Sequence, residues 1–310
     1  MALAVAVTCC FPSPSRARIA LDALSHDGYG MVELERPEPN ILTVLATING
    51  RKARLIVDTG WADEGITVTE EYGKLLHSPV ADLKDNGRSA SGQPMVGFKR
   101  GTSDLVTVGN VQLRGVPIIF GSIGSLKHHY DGPNVHAAGY IGAGFLSTCS
   151  AIIDLHNLRL YLRPPGTGHR AVINKAMNAQ GLADVPFDVI HSNCLVEVEI
   201  NGVRTAMFVD TGASLANVDE RFLPKMGAKA RGSRVRYMDA SGAEGRTKLT
   251  NLQSFKIGGV NVRAPDLRTA RFGFYDETGG KIVGLLGMDI LGKNGTIIDF
   301  GQKRLYFYPL

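Results

Sequence analysis

The chain has 310 residues, with 34 Lys and Arg against 29 Asp and Glu, a formal charge of +5. Its 44% hydrophobic content is that of a globular protein and excludes a disordered or collagen-like chain. No stretch reaches the ~18 apolar residues of a membrane span, and no Lys/Arg run exceeds two residues, so neither a membrane helix nor a nucleic-acid footprint is expected.

The 37 glycines exceed the roughly 7% of an average chain and point to many tight turns, as in β-rich folds. At roughly 100–200 residues per domain, the length suggests two domains. Residues 2–11 are apolar apart from Thr8 and are followed by Pro and small residues up to Ala17. This resembles a secretory leader, although no basic residue precedes the apolar run. Residues 1–26 are therefore set apart as a leader segment. A working signal implies a periplasmic or secreted protein, and its absence a cytoplasmic one.

The next elements read as strands. Residues 41–48 alternate, Asn49-Gly50 makes a hairpin turn, and 51–57 return and run into Asp58-Thr59-Gly60. A short helix is expected at 69–76, and a glycine-bounded mobile hairpin at 92–101. Residues 105–108, a turn at Gly109-Asn110 and a strand at 111–120 follow. Tyr140-Ile141-Gly142 leads into a short helix. The run Pro164-Pro165-Gly166-Thr167-Gly168 cannot continue a strand or helix and reads as a linker.

After the linker the pattern returns. Residues 195–200, Asn201-Gly202 and 204–209 lead into Asp210-Thr211-Gly212. A helix is expected at 220–226 and another after Leu285-Leu286-Gly287. Ile48-Asn49-Gly50 matches Ile200-Asn201-Gly202, and both Asp-Thr-Gly motifs keep the same spacing. Ser91-Gly92 matches Ser241-Gly242, and Ile153-Asp154-Leu155 matches Ile298-Asp299-Phe300. A duplication explains this register, with lobes at 27–163 and 169–310 and a linker at 164–168. The fold class is all-β with a few short helices.

One Asp-Thr-Gly is a chance event at odds of roughly 0.06 in such a chain. Two in register, each ending an apolar strand, are not. A carboxylate at the end of a buried strand must be hydrogen-bonded or paired. A pseudo-twofold axis would pair Asp58 with Asp210. Two close carboxylates hold one proton between them, so one can act as base on a water and the other as acid. Which one holds the proton is a property of the pair.

These motifs resemble the aspartic proteases of the pepsin and retropepsin clan, and Leu286-Gly287-Met288-Asp289-Ile290-Leu291 and Phe208 to Ser214 are similar to the retropepsin form. The resemblance covers about 40–310 and implies a bilobal β fold with the cleft between two lobes. It implies an aspartic endopeptidase with Asp58 and Asp210 as dyad. Thr59 and Thr211 would bond across the lobes. Gly60, Gly212 and Ser214 would support the carboxylates, and Gly142 and Gly287 would lie under the Asp loops. The substrate would be a peptide or protein bound as an extended strand beneath one working flap, with Met95, Val96, Gly97 and Phe98 at its tip. The lobe-two counterpart, 243–247, looks too short for a second flap. One chain supplies both halves, which suggests a monomer.

Trp61 departs from the Ser or Ala usual after Asp-Thr-Gly. It walls a substrate pocket or marks an insertion. In the second case Asp63 and Glu64 would meet the substrate backbone; a solvated acidic turn is the plainer alternative. Trp61 also favours a rival function, a catalytically inactive peptide-binding module on the same scaffold. A pro-enzyme whose first ~30 residues cover the cleft is a third reading. Cys149 and Cys194, one per half, fit either a bridge or two buried free thiols. With no C-x-x-C and no H-E-x-x-H, no metal or cofactor is expected. Residues 287–293 have phosphate-loop spacing but are followed by Asn294 in place of Ser or Thr, and 139–144 lack the dinucleotide order. His128-His129 reads as a solvated loop pair, and Asn294-Gly295-Thr296 as a sequon by pattern.

Overall fold

Two Asn-Gly turns set the register of both halves. Asn49 and Gly50 sit at φ 49° and 78°, and Asn201 and Gly202 at 49° and 82°. Positive φ at both central residues matches the twist of the flanking strands. The turns join Ile41–Ile48 to Arg51–Asp58, and Asn193–Ile200 to Val203–Val209, each an antiparallel pair. These positions come from a computed structural model that describes residues 23–38, 40–84, 87–129, 137–167 and 173–310. The leader's residues 1–17, with Cys9 and Cys10, and Gly168 of the linker lie outside the described residues.

The protein is mostly β, with short helices and a two-lobed arrangement of sheets. Each lobe holds a ten-stranded sheet, and the strand order is the same in both. In each sheet the strand that ends at the Asp motif is central. On one side lies its hairpin partner. On the other lies a parallel strand, Gly139–Gly142 in the first lobe and Ile282–Leu286 in the second. Central strands are covered on both faces and so read as unbroken apolar runs. Leu55, Ile56 and Val57 are at most 2% exposed, and Met207 and Val209 are fully buried.

A six-stranded sheet takes three strands from each half. At its centre Ile152–Asp154 pairs antiparallel with Ile297–Asp299, with Ile153 opposite Ile298. That pair is the meeting point of the two halves. Gly30–Glu33 and Arg159–Leu162 extend the sheet on one side, and Arg304–Phe307 and Ala183–Pro186 on the other.

Several local expectations need correction. The strand expected at 111–120 breaks into Val111–Leu113 and Val116–Gly121, because Gly115 turns at φ 66°. The helix expected at 220–226 shrinks to one 3-10 turn, Glu220–Phe222. His128 and His129 end a short helix, Gly124–His129, rather than lying in a loop. Asn294 is buried, and its side-chain amide donates to the carbonyls of Arg263 and Ile290, so the sequon is closed to modification in the folded chain. Cys149 and Cys194 are both free and buried. Burial pushes both thiols up, that of Cys149 to about 12. No helix of the described residues is long and apolar enough to cross a membrane.

Candidate active site

Asp58 is the last residue of its strand, and Asp210 follows directly on its own. The two Thr side chains lock the loops together. Thr59 N–H donates to Thr211 Oγ1 at 3.0 Å, and Thr59 Oγ1 donates to the Val209 carbonyl at 2.7 Å. The reverse pair has the same lengths, with Thr211 N–H to Thr59 Oγ1 and Thr211 Oγ1 to the Val57 carbonyl. Both threonines are fully buried. Four hydrogen bonds thus close a ring between the lobes without a charged group.

The ring brings the carboxylates face to face. Each motif glycine lies against the opposite carboxylate. A Cβ on Gly60 would sit 2.6 Å from the Asp210 carboxyl carbon, and one on Gly212 would sit 2.3 Å from that of Asp58. No side chain fits there. Gly60 N–H donates to Asp58 at 2.8 Å, while Gly212 and Ala213 N–H both donate to Asp210 Oδ1 at 2.9 Å. Burial, and then the nearby Asp210 charge, raise the Asp58 carboxyl well above its ordinary range. Burial also raises Asp210, but its backbone N–H donors oppose the rise. The pair therefore shares one proton into a range where a lone carboxyl would have lost it.

The supporting shell is backbone. Gly142 packs against the Trp61 carbonyl, where a Cβ would come within 2.2 Å, and Gly287 packs against the backbone at 213–216. Ser214 lines the cleft but makes no hydrogen bond to either carboxylate, so it does not support the dyad directly. Asp289, in the short helix Met288–Leu291, is buried and accepts the Ala216 N–H at 2.7 Å. It braces the loop after Asp210, a role the sequence reading missed. Its place in an apparent phosphate loop was the distraction: Met288 N–H is already bonded to the Ala213 carbonyl.

Trp61 walls the cleft. Its ring stacks on Tyr140 at 4.9 Å and 6°. Its indole N–H reaches Asp63 at 2.7 Å and Thr67 at 2.8 Å, and Thr67 also donates to Asp63. Asp63 lines the cleft, with its Oδ2 tied to Trp61 and Thr67. Glu64 is exposed and lies outside the cleft lining.

The expected flap tip is also displaced. Met95 and Phe98 are buried in a cluster with Ile56, Ile119 and Tyr140, while Val96 is 71% exposed. Gly97 makes a turn at φ 77° with nothing near it. The tip lies earlier, at Ser89 to Gln93, where Gly92 N–H closes a turn onto the Ser89 carbonyl. The second lobe has a hairpin of its own, and it is the longer and more regular one: Ala230–Met238 pairs with Glu244–Thr250. Two flaps stand over the cleft, not one.

The two tips cross. Gly273 N–H donates to the Ala90 carbonyl, and Gly124 N–H to the Ala240 carbonyl, both at 3.0 Å. Each tip thus docks on a loop of the opposite lobe. Asp239 adds a polar clasp: it accepts Ser91 Oγ at 2.5 Å from the other tip, and Ser241 Oγ at 2.6 Å and the Ala243 N–H at 3.1 Å from its own. Repetition of Ser91-Gly92 as Ser241-Gly242 was the available signal for these paired tips. Beneath them lies a cleft of about 740 Å³ lined by Asp58, Asp210 and residues of both lobes. No metal-binding group of His, Cys, Asp and Glu occurs among the described residues.

A family model described as aspartyl protease matches residues 196–290, from within the strand Asn193–Ile200 to the helix after Gly287. It supports an aspartyl protease of the pepsin and retropepsin type. No curated protein matches the chain.

Proposed function

We propose that the protein is an aspartic endopeptidase in which Asp58 and Asp210 hydrolyse a peptide bond held in the cleft. The observation that carries this reading is the carboxylate pair held face to face inside the threonine ring, each carboxyl against the opposite motif glycine. The ionised carboxyl of the pair takes a proton from a water between the carboxylates as that water attacks the scissile carbonyl. The protonated one donates to the carbonyl oxygen as charge develops there. Collapse of the tetrahedral species then sends a proton to the leaving nitrogen. The threonine ring keeps both carboxylates in place, so little reorganisation accompanies reaction. A single chain brings both carboxylates, so a monomer suffices.

The non-catalytic rival drew its support from Trp61. With the indole turned onto Tyr140 and its N–H tied to Asp63 and Thr67, that support is gone. The test is cleavage of a peptide library from about pH 3 to 8. Wild type is expected to cut at a defined set of bonds, and Asp58→Asn and Asp210→Asn each to abolish cutting. Full activity in either variant, or binding without cutting by wild type at every pH, would sink the reading. Activity is expected to fall on the acid side as the pair takes a second proton, and on the alkaline side as it loses the shared one, at a pH above the ordinary carboxylate range.

A further inference from the structure

The two walls of the cleft differ in chemistry. On the first-lobe side Trp61, Met95, Phe98, Ile119 and Tyr140 line it and belong to one apolar cluster. The matching positions of the second lobe are different. Ala213 follows its Asp-Thr-Gly where Trp61 follows the first, and Leu285 takes the ladder place of Tyr140. That wall has aromatic side chains of its own, Tyr237 and a Phe272 stacked on Phe274. What it adds is two arginines, Arg236 and Arg271.

Neither arginine is fully satisfied by its protein partner. Arg271 uses Nε to reach Glu220 at 2.7 Å, and Lys248 shares that carboxylate at 3.3 Å. Two cations thus divide one anion. Arg236 pairs with Glu244 at 2.9 Å but has Arg246 directly across the ladder. Their side chains are 66% and 68% exposed for Arg236 and Arg271, so a ligand can reach them. A guanidinium carries five N–H donors, and one ion pair leaves others open. Arg88, a third guanidinium at the cleft, sits on the first tip and donates to the Gly92 carbonyl.

Among the cleft carboxylates, Asp239 is held by the two tips through both oxygens, and Asp63 by Trp61 and Thr67 through Oδ2. Arginines with open donors therefore line the cleft from the second lobe. An extended peptide directs successive side chains to opposite sides. It can meet both walls at once.

We propose that the preferred substrate carries an apolar or aromatic side chain against the first-lobe wall and an Asp or Glu side chain against the second-lobe wall, with Arg236 and Arg271 selecting the acidic one. This rests on the hydrolytic reading above but is separable from it. Matched peptides carrying Glu, Gln or Lys at each position flanking the cut are compared by kcat/KM. Their binding to the Asp210→Asn protein is measured in parallel. At low salt the Glu peptide is expected to be cut about five- to tenfold faster than the Gln peptide, a ratio that shrinks as salt screens the contact. Arg236→Gln with Arg271→Gln brings that ratio close to one, Arg271→Lys keeps part of it, and Arg271→Glu turns the preference toward the Lys peptide. Cleavage with a Glu:Gln ratio near one, or a ratio that the double Gln variant retains, overturns the inference and leaves the hydrolytic reading standing. No cleavage at all, with arginine-dependent preference for Glu in the binding arm, does the reverse.

Discussion

Thr59 shows how much one side chain carries. Its Oγ1 donates to the Val209 carbonyl and accepts the Thr211 N–H, all within a fully buried ring. Thr59→Val keeps the shape, deletes both bonds and orphans two buried backbone groups. The expected cost is about 2–3 kcal/mol in urea unfolding, while Thr59→Ser, which keeps the oxygen, costs well under half of that. Thr59 and Thr211 could be placed through the family resemblance that the two motifs carry. Ser214 and Asp63 could not. Their partners depend on which way a loop turns: backbone N–H groups reach Asp210 first, and the indole of Trp61 reaches Asp63 first. A substitution at one position, Trp for the usual small residue, redirected a neighbouring carboxylate two residues away.

At the scale of elements, local chemistry made some pieces readable and not others. Both Asn-Gly hairpins follow from alternation plus a turn that needs positive φ, and neither depends on distant contacts. The tips are different. Where a hairpin ends depends here on what the other lobe offers it, such as the Gly273 N–H for Ala90. The Asp239 clasp gives a testable consequence. Burial pushes this carboxyl up, but bonds from Ser241, Ser91 and Ser89 and from the Ala243 N–H outweigh burial and hold it below the ordinary range. A depressed value means the clasp is at full strength above the ordinary carboxylate pKa of about 3.9 and is lost only as pH falls through the lower folded value. Asp239→Asn removes that charge at every pH. Amide exchange at residues 89–92 and 239–243, corrected for intrinsic rates, is expected to rise in the variant at neutral pH. Wild type should show such a rise only in strong acid. Equal protection in the two proteins at neutral pH would show that the crossed backbone bonds suffice.

For the whole molecule, the two halves share their foundations. Ile153 meets Ile298 in the central sheet, and the threonine ring crosses the same divide above it. Splitting the chain would expose a sheet edge and leave four ring bonds unmade, so the lobes should unfold together. A single thermal transition, coincident by circular dichroism and by Trp61 fluorescence, is the expected result. Two separated transitions would show lobes that stand alone. The repeat in the sequence made this pairing of halves readable, since Ile153 and Ile298 are themselves repeat partners. The crossing of the tips has a further effect at this scale. With floor and roof both built from two lobes, a bound chain is encircled. A closed loop of that kind admits a free end by threading, or a mid-chain segment only when the tips part. A folded domain cannot pass through it, so a substrate of the proposed hydrolysis would first be a strand that its own protein has released.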